Sequence, residues 1–185
     1  RNKPMFFSRK ARTAERLNIG CGLFPVDELV NLDRHWCPGV DVCWDLRRPL
    51  PFASDRFSGV FSEHCIDGLP PVYFGPCLRE MHRVLRPGGT LRLIFCDAEL
   101  YIDAYVANRE HGTPMPYAEE RGITTRMEAI DHVFHHPTHR TLVDLDRLTR
   151  ELRVCGFREV SRTGFRQGRD AALLHDREVR RAESL

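Results

Sequence analysis

The chain has 185 residues, enough for one domain with a proper core and too few for two. Apolar residues make up 42% and charged residues 29%, the balance of a globular protein, and no apolar run reaches the roughly 18 residues of a spanning helix. Lysine and arginine (28) against aspartate and glutamate (26) leave a net charge of +2, which excludes the broad positive field of a nucleic-acid binder.

Residues 1–15 are polar and basic and read as an arm or short helix ahead of a single domain over 16–185. "RLNIG" (16–20) is a buried strand ending in glycine, "ELVNLD" (28–33) a second strand, and "GVDVCWDL" (39–46) a third with alternating apolar residues. "RRPLPF" is a proline-stiffened loop, and "GVFSEH" (59–64) is the fourth strand. A helix is predicted over 71–85, where Leu78, Met81, Val84 and Leu85 recur at helical spacing, with "RPGG" ending it. "TLRLIFCD" (90–97) is the fifth strand, and 98–110 a helix. The run 124–136 reads as neither helix nor loop with certainty, and 141–157 is an amphipathic helix with a glycine stop. Seven cysteines form no CxxC pair and sit mostly in apolar runs, so they act as small hydrophobes in a reducing cytoplasm.

Alternating strand and helix predict an α/β fold: a Rossmann-like, doubly wound, mainly parallel sheet with helices on both faces and a shortened first crossover. In such sheets ligands gather beyond the carboxyl ends of the strands. The residues there are Gly20, Cys21 and Gly22, then Asp33, Asp45, Glu63 with His64, and Asp97. Gly20-Cys21-Gly22 gives a turn that a ligand can approach closely. A dinucleotide site would need a third glycine opening a helix to hold pyrophosphate, but position 25 is proline and the loop is too short for that helix. A cofactor with sugar hydroxyls and no phosphate fits better, with Asp33 accepting from the two ribose hydroxyls.

With these residues in view, the sequence resembles the class I S-adenosylmethionine-dependent methyltransferases, in a small bacterial-type branch (methyltransferase-11-like) whose first loop lacks a full helix. The resemblance rests on "LNIGCG", "VNLD", "DVCWDLRRPLPF", "SEH", "LREMHRVLRPGGTLRLIFCD" and the tail "DHVFHHPTHRTLVDLDRLTRELRVCGFREV". It implies S-adenosyl-L-methionine as cofactor, with Asn18, Gly20, Cys21 and Gly22 at its methionine and ribose, and Asp33 on the ribose hydroxyls. It further implies Asp45 and Leu46 at the adenine, and Ser62, Glu63 and His64 near the reacting methyl. Three departures stand out: "SEHCIDGL" puts Asp67 and Gly68 where the branch has a Glu-His pair, Cys96 precedes Asp97 where a proline is usual, and the chain stops at "AESL".

Methyl transfer is an in-line displacement that needs positioning above all, plus removal of a proton from an oxygen or nitrogen acceptor. His64 is the candidate base; as a structural histidine it would instead shape the cofactor pocket. Asp97, Tyr101, Tyr105, His132 and His139 are the expected acceptor-side residues. His132 and His136 have a helical metal-ligand spacing, but Pro137 interrupts it and no cysteine or H-E-x-x-H pattern is near, so no metal is expected. The expected substrate is a small molecule (glycan, lipid-linked or natural product), with no nucleic acid and no membrane span. An inactive methyltransferase-like partner subunit is the alternative. An unfinished sheet edge near Ser184–Leu185 points to a homodimer.

Overall fold

The structure, a computed structural model, describes residues 8–136 and 139–178. Five strands form one sheet: β1 (Arg16–Ile19), β2 (Val30–Asp33), β3 (Val42–Cys43), β4 (Phe57–Glu63) and β5 (Leu85–Ile94). Their spatial order is β3-β2-β1-β4-β5, and every pairing is parallel. The direction of winding reverses between β1 and β4, which opens a crevice beyond their carboxyl ends. The α/β class expected from the alternation of elements is therefore the fold.

The two faces of this sheet are chemically different. Register places Leu17, Ile19, Val30, Leu32, Val60, Leu91 and Leu93 on one face. Against it pack α1 (Arg9–Thr13), α2 (Pro71–Val84) and α5 (Leu145–Val154), through Ala11, Phe74, Leu78, Met81, Leu148 and Leu152. The helical spacing of the buried α2 residues is the reason α2 forms. Each fully buried side chain there contributes about 1.5–3 kcal/mol.

The opposite face carries Arg16, Asn18, Asn31, Phe61, Glu63 and Arg92. Its cover is the C-terminal segment 165–177, whose regular part is one 3-10 turn at Ala171–Leu173. Leu173 joins Leu29, Phe61 and Ile94 in a small apolar cluster. Arginine–carboxylate pairs fix the rest: Arg16 with Asp170, Arg92 with Asp176, and Arg177 with Glu63.

Beyond the carboxyl end of β5, α3 (Ala98–His111) and α4 (Arg126–Phe134) pack on each other around Tyr101 and Val133. The undecided run 124–136 is settled by chemistry at its start. Thr125 and Glu128 make a reciprocal capping box, so the helix begins at Arg126.

Several boundaries differ from those expected. The "RPGG" run does not merely stop a helix. Leu85 turns extended directly after α2, and the run lies inside β5, where the pairing with β4 is irregular between Phe57 and Gly59. Strand β3 is short because only Val42 and Cys43 pair with β2. Helix α5 starts late because Asp144 caps it, while Val143 pairs with Asp97 in an extended bridge. Of the basic arm, Ser8 caps α1 and bonds to Asp41, which also accepts a salt bridge from Lys10; residues 1–7 lie outside the described residues, as does the Ser184–Leu185 edge.

Candidate cofactor and acceptor site

The link from β1 to β2 contains no helix, and polar side chains hold it instead. Asn31, buried in β2, accepts from the amide of Val26 and donates to the carbonyls of Val26 and Leu29. Asn18 donates to Asn31 at 3.0 Å, so its place is beneath the loop as a brace. One asparagine thus satisfies the backbone groups a helix would have satisfied internally. Sequence reading missed Asn31; its one signal was an amide inside an otherwise apolar strand.

The glycine turn has two jobs. A Cβ on Gly20 would lie 2.0 Å from Cys65 Sγ, so this glycine lets the turn close against the loop after β4. Gly22 has φ +52°, and a Cβ there would meet nothing within 4 Å. Its side of the turn is open, with a backbone conformation that favours glycine. Burial, reinforced by Asp33, pushes the Cys21 thiol up to about 12, so it stays neutral.

Asp33 ends β2 with its carboxylate aimed by backbone: Oδ2 accepts from the Gly22 amide and Oδ1 from the His35 amide, each at 2.9 Å. Each oxygen keeps a lone pair for a further donor. The loop offers Asp27 and Glu28 and neither a cation nor a helix terminus, so a diphosphate has nothing to bind. A sugar diol on Asp33 beside the open Gly22 is what this geometry accepts.

Asp45, past β3, is gripped by Arg47 through the side chain at 2.9 and 3.0 Å and through the Arg47 amide at 3.0 Å. That grip lowers its carboxyl to about 2, so it stays ionised. Leu46 packs against the main core. Ser62 donates to the Ile19 carbonyl and ties β4 to β1, and Glu63 is bound by Arg177. Arg177 also lies 4.4 Å over the ring of Phe24, which links the C-terminal segment to the glycine loop. That link was invisible in the sequence.

His64 follows β4 with φ +44°, an uncommon conformation for a non-glycine residue, while its amide continues the pairing to Ile94. The chain then makes a 3-10 turn at Ile66–Gly68 that buries Asp67. The segment after α4 docks on that turn: the amides of Arg140 and Thr141 both donate to the Asp67 carbonyl at 2.9 Å. This brings His139 beside His64 and Asp67.

The other acceptor-side candidates are spread out. Asp97 caps α3 by accepting from the Glu99 amide, and it pairs with Arg162. Tyr101 is buried between α3 and α4, Tyr105 sits under Arg126 at 5.5 Å, and His132 is exposed near the His136 ring. A cavity of about 950 Å³ lies elsewhere, between the free edge of β5, α5 and the C-terminal segment, and neither Gly22 nor Asp33 lines it.

Residues 14–93 match the family model described as a methyltransferase domain. Over those residues, which run from β1 into β5, the chain is similar to methyltransferase domains. The phosphate-free turn with Asp33 has the chemistry to take a nucleoside such as that of S-adenosylmethionine. Among solved structures it resembles a Thermotoga maritima S-adenosylmethionine-dependent methyltransferase described as a possible histamine N-methyltransferase. That match has a TM-score of 0.54 at 17% identity and covers 78% of this chain and 64% of that one. The chain thus spans under two thirds of that relative's length. An S-adenosylmethionine-dependent methyltransferase from Mesorhizobium loti matches at 16% identity and TM-score 0.48, over 78% of this chain and 74% of that one. The YcgJ protein of Bacillus subtilis matches at 16% and 0.47, over 78% and 62%. No curated protein matches the chain. No helix among the described residues is long and apolar enough to cross a membrane.

Proposed function

We propose that this chain moves the methyl group of S-adenosylmethionine to an oxygen or nitrogen of a small-molecule acceptor in the reducing cytoplasm. The observation that carries the reading is Asp33, held by the Gly22 and His35 amides beside an open, phosphate-free turn. The cofactor supplies a methyl group on a sulfonium; the chain's own residues hold the nucleoside and orient the acceptor. Asp33 binds the ribose diol, and Asp45, kept ionised by Arg47, accepts from the adenine amine. His64, at the turn after β4, serves the removal of the acceptor's proton. A glycan, lipid-linked or natural-product acceptor suits a chain with little net charge, since phosphate-rich polymers need a basic surface.

Calorimetry with S-adenosylhomocysteine tests the cofactor half. Asp33→Ala should weaken binding roughly ten- to a hundredfold, the worth of hydrogen bonds to a charged group. Unchanged affinity would remove the reading's foundation. Transfer of labelled methyl to an acceptor panel tests the other half: His64→Ala should lose turnover while S-adenosylhomocysteine affinity stays within a few-fold.

A further inference from the structure

Two imidazoles and a carboxylate converge at the acceptor side of the crevice, from parts of the chain far apart in sequence. His64 and Asp67 flank the turn after β4, and His139 arrives from the segment between α4 and α5. One ligand atom from each lies within 4.8 Å of the others. Asp67 is 3% exposed, and the His139 side chain 15%.

The tautomer of His139 is fixed by its surroundings. Its Nδ1 lies 2.9 Å from the Val133 carbonyl, and a carbonyl only accepts, so Nδ1 carries the hydrogen. In the neutral ring, Nε2 then presents a lone pair. That lone pair faces Asp67 Oδ2 at 4.0 Å. Two acceptors that face each other need a donor or a cation between them. A proton on His139 would serve the pair, but it gives no reason for a second imidazole to converge on the same point. A metal ion accounts for all three groups. A backbone carbonyl behind the ligating ring is the outer support that metal-binding histidines use.

We propose that His64, Asp67 and His139 bind a divalent transition cation of the zinc or cobalt class. Two nitrogens and one carboxylate oxygen suit such ions, whereas calcium and magnesium prefer all-oxygen sites. Bonds of about 2.0–2.2 Å put neighbouring ligand atoms about 3.3 Å apart, so the 4.0 Å pair closes by side-chain rotation of less than about 1 Å. The cation clamps the turn after β4 to the segment that docks on it, adding to the two amide bonds to the Asp67 carbonyl. Three protein ligands leave a further position for water or an acceptor oxygen. The site itself does not depend on the methyl-transfer reading. Its catalytic consequence does: an acceptor oxygen on the cation would give up its proton to solvent more easily, so His64 would serve deprotonation as a ligand.

The test is a titration of the chelator-treated full chain with cobalt(II), followed by visible absorption, with S-adenosylhomocysteine calorimetry on the same samples. About one cobalt per chain is expected. His139→Ala and Asp67→Asn should each weaken it at least about tenfold, and His135→Ala, an exposed histidine on Asp131, should not. A wild-type chain that binds S-adenosylhomocysteine but no cobalt overturns the site, as does His139→Ala with wild-type cobalt affinity. Cobalt binding without S-adenosylhomocysteine binding supports the site and sinks the methyl-transfer reading instead.

Discussion

The two faces of the sheet are held by different physics. The face under α1, α2 and α5 is a continuous apolar core, built largely from elements that interlock through side chains of similar type. The opposite face has a four-residue apolar cluster and otherwise depends on charged pairs between residues such as Arg16 and Asp170, 154 positions apart. Apolar burial is non-directional, so the first face tolerates reshaping but not loss of volume. Charged pairs are directional, and removing one partner leaves the other stranded. The second face should therefore fail locally, at single residues, while the first fails with the whole fold.

The largest expected effect breaks the first face. Phe57 is fully buried, with its ring edge-on to Phe52 at 4.9 Å. Phe57→Ala should cost about 3–5 kcal/mol, a large part of a domain's stability, measured by urea unfolding. Loss of a small fraction of that would show the core to be collapsible at this point. The next effect tests the second face. Asp176 takes Arg92 and the Arg166 amide, and Asp176→Asn removes the charge from both. The expected cost is about 1–3 kcal/mol, with protease cuts appearing in 158–177 while urea unfolding of the sheet keeps its midpoint nearly unchanged. A global loss without local cutting would mean the two faces unfold as one.

Acid should separate the faces further. Burial works to raise the Asp176 carboxyl, but the hydrogen bond and charge of Arg92 and the Arg166 amide outweigh it and hold it below the ordinary 3.8. A lowered folded-state value contributes stability that is complete above about pH 4 and lost as pH falls through that value. Pepsin at pH 2 should thus cut the C-terminal segment faster, relative to an unfolded control substrate, than it does at pH 4. Asp176→Asn should be cut at both; the same pH profile in variant and wild type would take Asp176 out of the explanation.

The same contrast explains what the sequence revealed. Strands β1, β2 and β4 and helices α2, α3 and α5 were legible because their apolar periods and caps are local. The glycine turn and Asp33 were legible because they lie at strand ends that a parallel sheet must gather. What escaped reading depends on distant partners. The "RPGG" run looked like a helix stop because the pairs that place it in a strand, Leu85 with Phe57 and Thr90 with Gly59, are not local. The segment 158–177 has no period at all; its place comes from Arg16, Glu63 and Arg92, which solvate well in an unfolded chain. His139 was expected on the acceptor side, but together with His132 and from the resemblance rather than from any local contact. Only the turn at Asp67, itself flagged as a departure from the family pattern, selects it.

The smallest expected effect joins the second face to the cofactor. Phe24 is 58% exposed on the glycine loop, so its ring contributes little by burial. Its contact is with Arg177, whose guanidinium is already fixed by Glu63. Phe24→Leu keeps an apolar side chain and removes the ring face, worth about 0.5–1 kcal/mol. Because Phe24 lies two residues from Gly22, that energy should appear as cofactor affinity and leave unfolding untouched: S-adenosylhomocysteine should bind roughly two- to fivefold more weakly. Asp176→Asn, which loosens the same segment one residue before Arg177, should then weaken binding by a similar factor. Combined with Phe24→Leu it should add little, since both release the loop from one anchor. Full additivity in that double variant would mean the C-terminal segment does not steady the glycine loop through this stack.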